Sequence, residues 1–159
     1  MKWSEDVLKR NEDRRNGKVV DILLVEDNPG DVRLTKEALR DAKVLNEIFV
    51  ARDGVEAMDF LTRKGTFVDA PIPDLILLDL NLPRKDGREV LEEIKKDPRL
   101  KRIPVVVLTT SKADEDIVKS YSLHANAYIT KPVDLNRFSE IIHALEEFWF
   151  TVVKLPPKE

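Results

Sequence analysis

The chain has 159 residues, of which 42% are hydrophobic and 36% are charged, and its formal net charge is -3. This balance predicts one ordinary domain with an apolar core under a charged surface. The charge lacks the basic excess of nucleic-acid binders, and the absence of cysteine excludes disulfides, thiolate metal sites and cysteine nucleophiles. No apolar run is long enough to cross a bilayer, so we expect a cytoplasmic protein that binds neither membranes nor nucleic acid.

Five short apolar runs alternate with segments of helical spacing. The runs are residues 22–25, 48–50, 75–78, 105–108 and 127–129. Three of them are apolar throughout, which is typical of strands covered on both faces. Apolar residues spaced three and four apart between and after the runs predict five helices. The alternation predicts an α/β fold with a five-stranded parallel sheet and helices on both faces.

Charge and hydropathy divide the chain into three parts. Residues 1–18 form a charged N-terminal arm, residues 19–149 carry the recurring runs of a folded domain, and residues 150–159 form an apolar C-terminal extension. We expect no separate output domain after Trp149, so the output of this protein would be a protein contact.

Polar residues follow four of the runs, at the points where the strands are expected to end. In chain order they are Glu26, Asp27, Asp79, Thr109 and Lys131. Taken singly, an acidic residue in such a loop is often only a helix cap. Because parallel sheets bind ligands beyond the carboxyl ends of their strands, however, we expect these residues to converge in one crevice.

The chemistry of this set points to phosphate. Three carboxylates held close repel one another unless a cation neutralises them, and oxygen ligands without histidine or cysteine favour Mg²⁺. Lys131 would bind a phosphate oxygen, or a carboxylate in the resting state, and Thr109 would donate a hydrogen bond to a further phosphoryl oxygen. A carboxylate nucleophile, a cation, an ammonium and a hydroxyl together describe an aspartyl-phosphate site.

Four segments in this order, ILLVEDNP, LILLDLNLPRKDG, VVVLTTS and YITKPVD, resemble the response-regulator receiver family. The resemblance covers about residues 21 to 149 and implies the flavodoxin-like strand order 2-1-3-4-5. It implies a protein of a two-component phosphorelay, phosphorylated by a sensor histidine kinase, whose only chemistry is self-directed phosphoryl transfer and hydrolysis. It is thus not expected to be an enzyme acting on external substrates.

The resemblance also implies roles for the acidic residues. Asp79 would be the phosphoacceptor, and Glu26 and Asp27 would be the acidic pair that holds Mg²⁺ together with Asp79. The backbone carbonyl of Asn81 would be a further ligand of the metal.

Other roles implied by the resemblance concern the phosphorylated state. Thr109 and Tyr128 would form the switch pair, although Tyr128 is also explicable as a half-buried packing residue. Lys131 would contact the phosphoryl group and would be joined to Pro132 by a cis peptide bond.

Two segments outside the site resemble the small regulators that partner cyanobacterial and bacterial phytochromes. They are the long connection GTFVDAPIP and the C-terminal EEFWFTVVKLPP. This likeness implies a phytochrome-type kinase as the partner. The C-terminal segment is too apolar for a monomer's tail, so we expect a homodimer that buries Phe148, Trp149 and Phe150.

Three other functions compete with a working receiver. A phosphatase of the haloacid-dehalogenase class needs a second acid two residues after its nucleophile, where this chain has Asn81. In a flavin-binding domain the acidic turn EDNPGDVR would repel the flavin phosphate. A degenerate receiver that only binds proteins, independently of phosphorylation, would not need the complete set of site residues.

Overall fold

The computed structural model of the chain describes residues 19–40, 45–109, 125, 127–131, 136, 140, 141, 143 and 144. Three helices are described in full, α1 (Pro29–Arg40), α2 (Gly54–Thr62) and α3 (Gly87–Lys96), and a 3-10 helix spans Gly65–Phe67. The strands are β1 (Val20–Val25), β2 (Asn46–Ala51), β3 (Leu75–Asp79), β4 (Val105–Thr109) and β5 (Ala127–Thr130).

The five strands form one parallel sheet in the order β2-β1-β3-β4-β5, which confirms the predicted topology. The predicted fourth helix, the arm at residues 1–18 and the extension at residues 150–159 lie outside the described residues. The described positions of the fifth helix are helical, and they are Asn136, Glu140, Ile141, His143 and Ala144. None of the described helices is long and apolar enough to cross a membrane.

Helices cover both faces of the sheet because the strand side chains alternate in direction. One face packs against α2 and α3 and includes Leu23, Val25, Ile76, Leu78, Val105 and Val107. The other packs against α1 and Ile141 and includes Ile22, Leu24, Leu75, Leu77, Val106 and Leu108. The three continuous apolar runs are the central strands β1, β3 and β4, which are buried along their whole length.

The strand order places the end of β1 beside the end of β3. Val25 pairs with Leu78 in the parallel register, so the residues that follow these two strands emerge as neighbours. The chain winds in opposite directions from β1 toward β2 and toward β3, and at such a reversal the loops separate and leave a crevice.

The long connection before β3 packs against the core. Its Phe67 packs edge-on against Phe60 at a centroid distance of 5.5 Å, and Arg63 Nε donates to the carbonyl of Ala70 at 2.9 Å. Ala70 and Ile72 are half-buried against the same cluster. The connection leads into the amino end of β3, at the edge of the sheet opposite the crevice.

Candidate functional site

Three carboxylates meet at the carboxyl ends of β1 and β3. Asp79 is the last residue of β3, and Glu26 and Asp27 directly follow β1. One oxygen from each lies within 4.8 Å of the other two. Glu26 and Asp79 are buried, with 1% and 3% of their surfaces exposed, whereas Asp27 is exposed at the rim. The structure therefore brings together the three side chains that the sequence singled out.

Lys131 lies among these carboxylates. It directly follows β5, and its Nζ donates to Glu26 Oε2 at 2.5 Å and to Asp79 Oδ2 at 2.9 Å. Its third contact is with Asp31 Oδ2 at 3.0 Å. Its side chain is only 9% exposed, and each of the three ammonium protons has a carboxylate acceptor. The resting contact of lysine with carboxylate is thus present.

The electrostatics of the cluster favour an additional cation. Burial raises the pKa of Glu26 to about 7; the charge of Asp79 acts in the same direction, and the hydrogen bond from Lys131 opposes it. Burial acts to lower the pKa of Lys131, but its hydrogen bonds to the carboxylates raise that pKa overall. One ammonium does not balance four neighbouring carboxylates, and an all-oxygen donor set suits a hard divalent cation.

The first turn of α1 adds Asp31 to the site, a residue that the sequence analysis did not single out. Asn28 caps the helix, because its Oδ1 accepts from the amides of Gly30 at 2.8 Å and Asp31 at 3.1 Å. The amide of Asn28 in turn donates to Glu26 Oε1 at 3.1 Å, which ties the cap to the site. An acid in a first turn usually needs no explanation beyond the helix dipole, so Asp31 carried no distinct signal.

The loop between β3 and α3 is held at two points. The amide of Asn81 donates to Asp79 Oδ1 at 3.0 Å, and Asn81 itself is exposed. Asp53 caps α2 through the amide of Glu56 at 2.8 Å, and its other oxygen accepts from Arg84 at 3.2 Å. Arg84 adopts a φ of 65°, an uncommon conformation for a residue with a side chain. The sequence did not predict this second contact, since it joins distant segments.

The start of α3 packs directly on the backbone of Asp79. A Cβ added to Gly87 would lie 2.3 Å from the Asp79 carbonyl oxygen and 2.6 Å from Leu80 Cα. We therefore expect Gly87→Ala to push the helix away from the strand and to lower the free energy of unfolding by about 1–3 kcal/mol in urea titrations. Gly30→Ala is the control, because its Cβ would meet only Asn28 Oδ1, at 3.2 Å. Equal changes in the two variants would contradict the expectation.

The structure describes some of the remaining predicted residues and not others. Thr109 is buried at the end of β4, and its carbonyl accepts from the amide of Lys131 at 2.6 Å. Tyr128 is half-buried and packs against the α2 and α3 side of the core. Pro132, with its predicted cis bond, lies outside the described residues. So do the three predicted dimer residues Phe148, Trp149 and Phe150.

The doubly wound sheet brings a buried aspartate, two further acids and a lysine together at its carboxyl edge. Residues 22–143 match the family described as response regulator receiver domain, and the chain belongs to this family. It is a receiver of two-component signalling, a class of protein phosphorylated on aspartate.

Known response regulators are similar to this chain in sequence and in structure. Response regulator Rcp1 of Synechocystis sp. is 52% identical over 135 residues, which are 85% of this chain and 92% of the relative. The crystal structure of its Mn(2+)-bound form shows 51% identity and a TM-score of 0.71, over 86% of this chain and 99% of that chain.

Two further solved structures carry phytochrome in their names. The phosphorylated cyanobacterial phytochrome response regulator RcpA is 55% identical, with a TM-score of 0.72 over 86% of this chain and 98% of that chain. The bacteriophytochrome response regulator AtBRR is 47% identical, with a TM-score of 0.74 over 82% of this chain and 95% of that chain. The subfamily resemblance predicted from the sequence is confirmed.

Proposed function

We propose that this receiver accepts a phosphoryl group on Asp79 from a sensor histidine kinase, with Mg²⁺ as the metal. Glu26, Asp27 and Asp79 would hold the ion through side-chain oxygens, together with the backbone carbonyl of Asn81. The observation that carries the proposal is the position of Asp79. Its buried carboxylate lies 2.9 Å from the Lys131 ammonium and shares a 4.8 Å cluster with Glu26 and Asp27.

The chemistry follows from this arrangement. A carboxylate oxygen of Asp79 attacks the phosphorus of a phosphohistidine; the new P–O bond forms as the P–N bond breaks. The imidazole leaves as a neutral ring, because its other nitrogen carries a proton. Lys131 turns from a carboxylate to a phosphoryl oxygen, and Mg²⁺, when bound, would offset the charge shared by carboxylates and phosphoryl group. Water later hydrolyses the acyl phosphate, which ends the signal.

Residues of the neighbouring strands β4 and β5 would change conformation when Asp79 is phosphorylated. Thr109 ends β4 beside the site, and its hydroxyl would turn toward the phosphoryl group. Tyr128 in β5, half-buried in the resting state, would then move inward. This pair would shift the surface formed by the last two helices and the strand between them, and so alter contacts with other proteins. The peptide bond between Lys131 and Pro132 would be cis.

A phytochrome-type kinase is the proposed partner. The names of RcpA and AtBRR link those proteins to phytochromes, and the identities of 55% and 47% support the transfer to this chain. The proposed output is contact with a protein, with no role for nucleic acid or membrane.

Acetyl phosphate tests the proposal without the kinase. Intact mass spectrometry of the purified protein should show the gain of one phosphoryl group with Mg²⁺ and none with a chelator. The phosphoryl group should be lost on treatment with hydroxylamine, which cleaves acyl phosphates. A folded protein that gains no phosphoryl group from acetyl phosphate with Mg²⁺, and none from a phytochrome-type kinase, would contradict the proposal. It would instead be a receiver that only binds proteins.

The raised pKa of Glu26 predicts how stability depends on pH in the metal-free protein. Its pKa is 4.5 in the unfolded chain and about 7 in the fold, so the folded state binds more protons between these values. Stability should therefore fall as pH rises through this window. Urea unfolding with a chelator should show a smaller fall in Glu26→Gln, which does not titrate. An identical pH dependence in both proteins would contradict this assignment.

The C-terminal segment supports a further proposal, that the chain forms a homodimer through Phe148, Trp149 and Phe150. Replacing Phe148 and Phe150 by serine should yield monomers in light scattering, because the apolar surface that drives association is reduced. Leu45→Ser, an exposed apolar residue before β2, is the control and should remain dimeric. A dimeric double variant would refute the role of the segment.

A further inference from the structure

We infer that Asp31 is a positioning residue that holds the Lys131 ammonium at the site while a metal occupies the other carboxylates. This inference rests on the proposed function. It starts from the direct contact of 3.0 Å between Lys131 Nζ and Asp31 Oδ2. Asp31 is the third carboxylate partner of Lys131, and it belongs neither to the proposed acidic pair nor to the proposed switch pair.

The metal and the lysine compete for the same two carboxylates. Lys131 contacts Glu26 and Asp79, and both belong to the group of oxygens that could hold a cation. Among the residues that the structure describes, that group includes Asp27 but not Asp31. A divalent cation held by these carboxylates would occupy both acceptors and would repel the ammonium. Asp31 is the acceptor that remains.

Asp31 is well placed for this task. Its backbone amide is fixed by Asn28 Oδ1 at 3.1 Å, and the same Asn28 donates through its amide to Glu26. The carboxylate therefore lies on a helix turn that is tied to the site itself. Its side chain is 30% exposed, so its own desolvation is modest. One N–H of Lys131 can keep donating to Asp31 while another reaches a phosphoryl oxygen.

Chemical labelling of Lys131 tests the inference without phosphorylation. In protein saturated with Mg²⁺, acylation of Lys131, measured by peptide mass spectrometry, should be slow in the wild type and several-fold faster in Asp31→Ala. Asp31→Asn keeps an acceptor oxygen and should lie between them. Glu37→Ala is the matched control, because it removes the same charge from an exposed position on α1 and should label like the wild type.

Phosphorylation by acetyl phosphate supplies the second measurement. At saturating Mg²⁺, which cancels differences in metal affinity, Asp31→Ala should react about tenfold more slowly, as expected for a lost charge-assisted hydrogen bond. Asp31→Ala should cause no further loss in a Lys131→Met background, because it acts through that lysine.

The two measurements separate the inference from the proposed function. If the wild type is phosphorylated but Asp31→Ala matches Glu37→Ala in labelling and rate, the positioning role is overturned and the proposed function stands. If Asp31→Ala exposes Lys131 to labelling while even the wild type takes no phosphoryl group, the positioning role stands and the proposed function fails. A faster reaction of Asp31→Ala would also overturn the inference, since Asp31 would then restrain the lysine.

Discussion

Asp79→Asn should abolish the gain of a phosphoryl group, from acetyl phosphate and from a kinase alike. The amide has no carboxylate oxygen to attack phosphorus. Asparagine can still accept the hydrogen bond from the Asn81 amide, which in the native protein measures 3.0 Å, so the loop keeps its anchor. Its NH₂ group faces the Lys131 ammonium, however, and that contact of 2.9 Å is lost. Intact mass with Mg²⁺ should show only unmodified protein.

Asp86→Asn is the matched control for this experiment. Asp86 lies in the same loop and caps α3 by accepting from the amide of Arg88 at 2.7 Å. Asparagine caps a helix about as well as aspartate, so this variant should fold and react like the wild type. If Asp79→Asn still gained one phosphoryl group, another residue would be the acceptor and our assignment of Asp79 would be wrong.

Lys131→Met should destabilise the metal-free protein by about 3–5 kcal/mol, the usual effect of removing one partner from a buried ion pair. The substitution leaves the side chains of Glu26 and Asp79, which are 0% and 4% exposed, without their cation. Mg²⁺ should restore part of the loss, because binding to the folded state alone adds to stability. Urea unfolding with and without Mg²⁺ measures both effects.

Lys85→Met provides the comparison for this substitution. Lys85 contacts Glu93 at 2.8 Å, but these side chains are 26% and 45% exposed, so the loss should be at most about 1 kcal/mol. Because Lys131 lowers the pKa of Glu26, its loss should raise that pKa above about 7, and the cost of Lys131→Met should shrink as pH falls toward 7 from above. Equal losses in the two variants, or a cost independent of Mg²⁺, would show that Lys131 does not balance the carboxylates.

The amino-acid sequence by itself determined the strands, the layers and the members of the acidic cluster. The central strands are apolar on both faces, so their burial can be predicted from consecutive residues without knowledge of any distant contact. Glu26, Asp27 and Asp79 were found because parallel strands end at one edge, and residues after those ends must meet there. Local periodicity and one topological rule were sufficient for these conclusions.

Only the tertiary structure decided which side chains pair across the site. The contact between Lys131 and Asp31 joins residues 100 positions apart, and that between Asp53 and Arg84 joins residues 31 apart. Asp31 and Asp53 both look like ordinary acids at the start of a helix, since the helix dipole accounts for them locally. A side chain's second partner depends on distances set by the packed fold, and these have no periodic signature in the sequence.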